Sequence, residues 1–410
     1  MLSLLFELIW PLIYANCLFG ISTIAISNEP IFIQIVTFSA AVMIPLRGVY
    51  YIIISIVRGN KIIRSTVIQT VCEILIGAII VLLPSFSYKA FVIVYEVYLS
   101  FYIAVKIIDT VIYSKNGVKR NFVPSLIQAL LFTAIFVLII VLPVDVRKRA
   151  VEIGVGISVS LLGLGHISDF LSMVIKNVRM RSVLNSIRIT MPGVVAVTVP
   201  HRLIHSIRNA KPGQCGKQIN AEVFFHFGKG GLGTVGHCEL CIDGRTFTYG
   251  NYDPSSRKVL KSLGKGVILR AKRDEYIDWC VNKHHKMVIA YGLHLTDKDM
   301  QSVRNRISEL EKDLVPWGKE AEELPEKEYA KKITRNVNTE IYSIENGRFK
   351  TYFTPTINCV KLLDYFLCET PIGQMILPGI CTPGAYMDVL QRLYDTGSDT
   401  VVSLKTYGIK

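Results

Sequence analysis

A thiol becomes a nucleophile near neutral pH only where its surroundings favour the thiolate, and two separate stretches of this chain carry residues suited to that. The first is Thr356-Ile-Asn358-Cys359-Val-Lys-Leu-Leu-Asp-Tyr-Phe366. An extended run from Tyr352 to Pro355 gives way there to a helical spacing of apolar residues, so Cys359 falls at or near a helix start. The partial positive charge of a helix N-terminus stabilises a thiolate, and a neighbouring imidazole lowers the thiol pKa further. The second stretch is Gly236-His237, at the beginning of a strand. A thiol at a helix start and a histidine on a strand are residue types that covalent catalysis uses, as nucleophile and as base. Taken singly, each has a plainer reading: Cys359 as one more small buried residue, like Cys368, and His237 as a satisfied strand histidine. A third residue should orient the imidazole. Glu239 shares a strand face with His237, and Asn251 follows Gly250, which the hairpin register sets opposite His237; both remain candidates.

The elements that must position this pair read as short strands and helices. Residues 221–227 alternate as a strand does, and 235–242 with 245–250 form a hairpin closed by Asp243-Gly244, the dipeptide favoured in a type I′ turn. Val267 to Ala271 predicts a strand, 274–283 a helix, and Thr296 to Leu314 an amphipathic helix capped by Thr296. Segment 309–332, rich in Glu and Lys, predicts an exposed charged helix and linker. Gly231-Leu-Gly233-Thr-Val-Gly236 matches the dinucleotide fingerprint letter for letter, but its glycines open a strand rather than a helix, so it reads as a flexible loop. Cys238 and Cys241 have a metal-pair spacing, yet in a strand their side chains point to opposite faces. His284-His285 reads as a solvated helix end. No metal and no cofactor is expected.

The 410 residues divide into two unlike halves, and half of all residues are hydrophobic. Apolar runs near 4–26, 31–56, 66–83, 90–113, 124–142 and 151–175 are each about as long as the ~20 residues a membrane-crossing helix needs, predicting six spans. Spans two, four and six align at shifts of 59 and 60 residues, bringing Arg47-Gly-Val-Tyr, Lys106-Ile-Ile-Asp109 and His166-Ile-Ser-Asp169 into register, as a two-helix unit used three times would. The ionisable groups Arg47, Lys106, Asp109, His166 and Asp169 then form a polar cluster inside the bundle or reach the interface. The net charge of +14 gathers beside apolar runs and in segment 298–350, without the aromatic-basic signatures of nucleic-acid modules. Anionic lipid headgroups are therefore the expected partner, and nucleic acid is not. Lys and Arg are in excess on the side holding both termini, which places the catalytic half in the cytoplasm by loop charge.

The order of the two motifs, Gly236-His237 on a strand before an Asp-Gly hairpin and Asn358-Cys359 opening a helix over a hundred residues later, resembles the circularly permuted papain-like superfamily. That superfamily includes the lecithin:retinol acyltransferase group and bacterial cell-wall peptidase relatives of the NlpC type. The nearest resemblance is to the catalytic domain of a bacterial lipoprotein N-acyltransferase family, with Thr248-Tyr-Gly-Asn-Tyr-Asp253, Tyr291-Gly-Leu-His-Leu-Thr296 and Tyr352 adding to it over residues 220–395. Residues 1–178 resemble the six-span HdeD-type acid-resistance membrane proteins in hydropathy and repeat length. The expected architecture is a polytopic α-helical membrane domain of six spans in three hairpin repeats (1–178), a basic juxtamembrane linker (179–219) and an α+β circularly permuted papain-like domain (220–410). What the resemblance implies is covalent catalysis, with Cys359 as nucleophile, His237 as its base and the backbone N–H of Cys359 helping to hold an oxyanion, in a multi-pass protein of a bacterial plasma membrane, a thiol acyltransferase or acyl hydrolase. Its acyl donor would be a membrane lipid and its acceptor a lipoprotein. A cysteine amidase or peptidase is the rival within the same chemistry, and a non-catalytic stress or transport protein with a papain-like binding module is the rival outside it.

Overall fold

The computed structural model describes residues 2–27, 64–82, 84–174, 217–227, 236–373, 382–395 and 397–408, with single positions between 31 and 53. They fall into two compact units: one holds the chain up to Ile107 together with Pro124–Val174, and the other holds Ile108–Val123 and the carboxy-terminal part up to Lys410.

The described helices of the amino-terminal part are α1 (Leu2–Ser27), α2 (Arg64–Leu82), α3 (Pro84–Lys115), α4 (Lys119–Val141) and α5 (Val144–Val174). The first unit has an apolar core in which Leu99, Tyr102, Phe132, Ile139 and Val151 are buried against one another. Among the described residues, two helical stretches are long and apolar enough to cross a membrane, Lys89–Lys115 and Lys119–Val141. The expectation of six spans in three hairpin repeats beside a permuted papain-like domain is therefore corrected to two such helices and an α+β assembly on one large antiparallel sheet. Within α1 and α2 the described side chains cover shorter apolar stretches, Ala15–Ser27 and Thr70–Ile79. The expected span 31–56 lies largely outside the described residues. Helix α5 carries Asp145, Arg147, Lys148, Arg149 and Glu152 in its first turns. Hydropathy finds apolar helices but does not by itself separate one that packs on other helices from one that faces lipid.

In the second unit an eight-stranded sheet runs in the order β10-β6-β1-β2-β3-β5-β8-β7. The strands are β1 (Ala221–Phe227), β2 (His237–Ile242), β3 (Arg245–Gly250), β5 (Val267–Lys272), β6 (Met287–Leu293), β7 (Leu314–Pro316), β8 (Thr339–Ile344) and β10 (Val401–Tyr407), with β4 (Leu263–Lys265) and β9 (Thr351–Phe353) paired separately. Every neighbouring pair is antiparallel. The β2–β3 hairpin turns on Asp243 at φ 50 and Gly244 at φ 71, both positive as a type I′ turn demands.

The helices of this unit are α6 (Arg273–Asp278), α7 (Asp297–Glu311), α8 (Gly318–Glu322), α9 (Tyr329–Asn336), α10 (Cys359–Leu367) and α11 (Pro383–Asp395). The helix expected over 274–283 is α6 followed by a π turn, Trp279–Lys283. Thr296 caps α7 in a reciprocal capping box with Asp299. Segment 309–332 is largely exposed, as expected, but it is not all helix and linker: it also supplies β7, and Trp317, Ala321 and Ala330 enter a core with Phe224, Tyr276 and Trp279. The dense charges around them hide those buried positions from a composition-based reading.

Candidate active site

Helix α10 begins on Cys359 itself. Asn358 is its N-cap, extended at φ −125 and ψ −174, and its Oδ1 accepts from the Lys361 N–H at 3.1 Å. The Asn358 Nδ2 donates to the Thr354 carbonyl at 2.8 Å, so one side chain caps the helix and ties down the loop before it. Phe353 and Ile357 bond backbone to backbone in both directions, at 2.9 and 2.8 Å, closing that loop tightly. Asn358→Ala is expected to lower stability by at least ~1 kcal/mol, the usual worth of an N-cap, in thermal unfolding followed by circular dichroism.

Strand β2 opens on His237, just after Gly236 at φ 81, a left-handed conformation that favours glycine. Because His237 is the first residue of its strand, the imidazole sits at the rim of the sheet. Helix α10 packs on β2 and β3, with Phe366 edge-on to Phe247 at 6.1 Å between centroids. Cys359 is 4% exposed and hydrogen-bonded to His237. Burial opposes the thiolate, but hydrogen bonds from the Cys238 side chain and backbone, together with the charge and hydrogen bond of His237, hold the Cys359 thiol well below its ordinary range. Burial likewise opposes the imidazolium, and the Cys359 thiolate outweighs it, raising the His237 pKa. Both shifts favour the thiolate–imidazolium form of the pair, the form in which a cysteine is nucleophilic.

Thr248 is hydrogen-bonded to the imidazole: its Oγ1 lies 2.9 Å from His237 Nε2 and 2.9 Å from the Tyr252 hydroxyl. Sequence reasoning missed it because threonine does not titrate. The signal was present in the hairpin register, where Leu240 pairs with Phe247 and the next step sets Thr248 opposite Glu239. Of the two predicted orienting residues, Glu239 is beside His237, with Oε1 4.0 Å from Nε2. Asn251 is elsewhere: its Nδ2 reaches the Lys261 carbonyl at 3.4 Å and its amide lies against Gly264. Thr248→Val is expected to reduce turnover by about tenfold, the worth of one lost orienting hydrogen bond, with KM unchanged in steady-state kinetics.

Glu239 belongs to a buried polar cluster that no local motif announces. Its Oε1 accepts from the Tyr276 hydroxyl and lies 3.4 Å from His226 Nδ1. His226 pairs with His237 in the β1–β2 register, and their rings stack at 5.3 Å and 24°. Lys286 places Nζ 3.4 Å from His226 Nε2 and 4.8 Å from the centre of the Tyr329 ring. Burial, then Lys286 and His237, push the His226 pKa well down, so this second imidazole is neutral. Burial raises the Glu239 pKa against the opposing pull of His237 and Tyr276. Lys286 lowers the pKa of both His237 and Glu239. Lys286→Met should thus shift the alkaline limb of the pH–rate profile, where His237 loses its proton, to higher pH. An unmoved limb would show that this cation is electrostatically remote from the pair.

Other predicted residues lie away from this centre. Cys241 is buried, and its thiol is pushed up to about 12 by burial and by Glu222. His284 packs its ring 4.7 Å from Trp279 rather than pointing to solvent. Tyr352 is half-buried on β9 against Tyr249, at 5.2 Å between rings, and desolvation of its hydroxyl beside Cys359 keeps it protonated. Of the expected membrane polar cluster, Arg47 and the side chains of His166 and Asp169 lie outside the described residues. Lys106 is buried with Nζ 5.4 Å from the centre of the Tyr102 ring. Asp109 bonds the Thr356 hydroxyl within the second unit. The glycine loop 231–235 and the basic stretch 176–188 also lie outside the described residues. Comparison with known proteins finds no matching family model, no matching curated protein and no matching solved structure.

Proposed function

We propose that this protein is a cysteine-dependent acyl-transfer enzyme. The observation that carries the reading is the hydrogen-bonded Cys359–His237 pair at the N-terminus of α10, with Thr248 bonded to the imidazole at Nε2. The Cys359 thiolate attacks an acyl carbonyl, and the negative charge that develops on its oxygen meets the N–H groups of the first turn of α10. As the bond to the leaving group breaks, the His237 imidazolium protonates that group and an acyl-thioester remains on Cys359. An amine or water then attacks the thioester, His237 takes its proton, and the thiolate is released.

The proposed substrate is an acylated amphiphile presented at a bilayer, a phospholipid or a lipoprotein. Two described helices long enough to cross a membrane support this, with large apolar residues turned outward: Val94 is 66% exposed, Val97 65% and Leu130 63%. Lys115, Lys119 and Arg120 are exposed at the turn between those helices, where anionic headgroups would be attracted. An enzyme that takes an acyl chain from lipid gains proximity from such helices.

The test is incubation of the full chain in phospholipid vesicles, followed by intact-mass spectrometry. A mass increment of one fatty acyl group, lost on hydroxylamine treatment and absent in Cys359→Ala, is the expected result. Cleavage of a peptide amide with no fatty acyl adduct would replace this reading with an amidase. No adduct on any acyl or peptide substrate, with Cys359→Ser leaving the cellular phenotype intact, would replace it with a non-catalytic binding module.

A further inference from the structure

The end of α3 and the turn that follows it belong to the second unit, within Ile108–Val123. Three polar contacts bind them to the segment leading into the nucleophile. Thr356 donates its hydroxyl to Oδ1 of Asp109, a carboxylate only 2% exposed. The Asn116 amide and the Thr351 hydroxyl exchange hydrogen bonds of 3.2 and 3.3 Å. The Tyr113 hydroxyl is hydrogen-bonded to Arg348.

These anchors meet a segment with little slack. From β9 the chain runs through the loop closed by Phe353 and Ile357 and straight into the Asn358 cap, whose Nδ2 is bonded back to Thr354. Thr356 is three residues ahead of Cys359, inside that loop. A displacement of Thr356 is therefore transmitted to the first turn of α10. There the sulfur depends on a hydrogen bond to His237 and on the Cys238 backbone for its thiolate character.

We infer that Asp109 is a positioning residue for Cys359, acting through Thr356 to hold the N-terminus of α10 against His237. The inference rests on the thiol-enzyme reading above and adds a carboxylate 250 residues upstream of the nucleophile. Neither Asp109 nor Thr356 touches the reacting atoms. Their contribution is geometric: a buried hydrogen bond fixes direction as well as distance.

The test follows alkylation of Cys359 by iodoacetamide as a function of pH in the full chain. Cys359 is read by peptide mass spectrometry, since Cys17 and Cys72 are exposed and will also react. Thr356→Val removes one hydroxyl, Asp109→Ala removes its acceptor, and Thr356→Ser keeps the donor. Thr356→Val and Asp109→Ala are each expected to slow alkylation at pH 6 by about tenfold, and the double variant by no more than Asp109→Ala alone, because that change already removes the Thr356 bond. The acid limb of reactivity should move to higher pH in both, and Thr356→Ser should behave as the unmodified protein. A Thr356→Val protein with unchanged melting temperature and an unchanged alkylation profile would overturn the inference. So would effects of the two single changes that multiply in the double variant. Should Asp109→Ala not fold, the Thr356 pair of variants decides alone. An unmodified protein whose Cys359 reacts with the profile of an ordinary thiol would instead overturn the thiol-enzyme reading itself.

Discussion

Cys359→Ser should lower kcat/KM by about 10⁴-fold or more, the loss typical when the nucleophile of a covalent mechanism is removed. The substitution is close to isosteric and leaves the Asn358 cap, the Thr354 tie and the packing of α10 on β2 and β3 intact. The melting temperature should therefore barely change, which separates chemistry from folding. A serine hydroxyl cannot reproduce the thiolate, because its pKa is far above any that His237 and a helix terminus can bring within reach. Full activity in Cys359→Ser would end the enzyme proposal.

His237→Ala is the second large effect, about 10²- to 10⁴-fold in turnover, as expected when a general base is removed. Its sign can be worked out for the thiol as well. In the intact pair, Cys359 is held below its ordinary range and His237 above its own. Turnover should thus be bell-shaped in pH. The acid limb reports protonation of the thiolate, and the alkaline limb reports loss of the imidazolium proton needed by the leaving group. Without His237 the charge that opposed burial is gone, so the Cys359 thiol moves up. Iodoacetamide alkylation of Cys359 near pH 6 should then fall steeply and recover at alkaline pH. Equal alkylation of the two proteins at pH 6 would show that His237 does not activate the sulfur.

Several features were legible in the sequence because they are local. Asp243-Gly244 carries its own turn geometry, Thr296 its own cap, and Asn358-Cys359 the change from extended to helical spacing. Each depends on residues within about one helical turn or one hairpin, so the chemistry of the residues suffices. Glu239 was placed correctly on the face of His237 because a strand alternates. Asn251 was not placed at the site, because β3 ends at Gly250 and the chain then turns toward Lys261 and Gly264.

By itself, the sequence picked out Cys359 and His237 as candidates, the elements that carry them, and the apolar character of the amino-terminal helices. The tertiary structure decided which groups meet. It assigned Thr248 to the imidazole, surrounded Glu239 with His226, Lys286 and Tyr276, and set Asp109 against Thr356. It also reduced six expected spans to two described helices that meet the length and apolarity a membrane requires. The reason is the same in each case. Hydrogen-bond partners far apart in the chain, and the difference between a packed and a lipid-facing apolar helix, depend on what lies opposite a residue, and no local pattern encodes that.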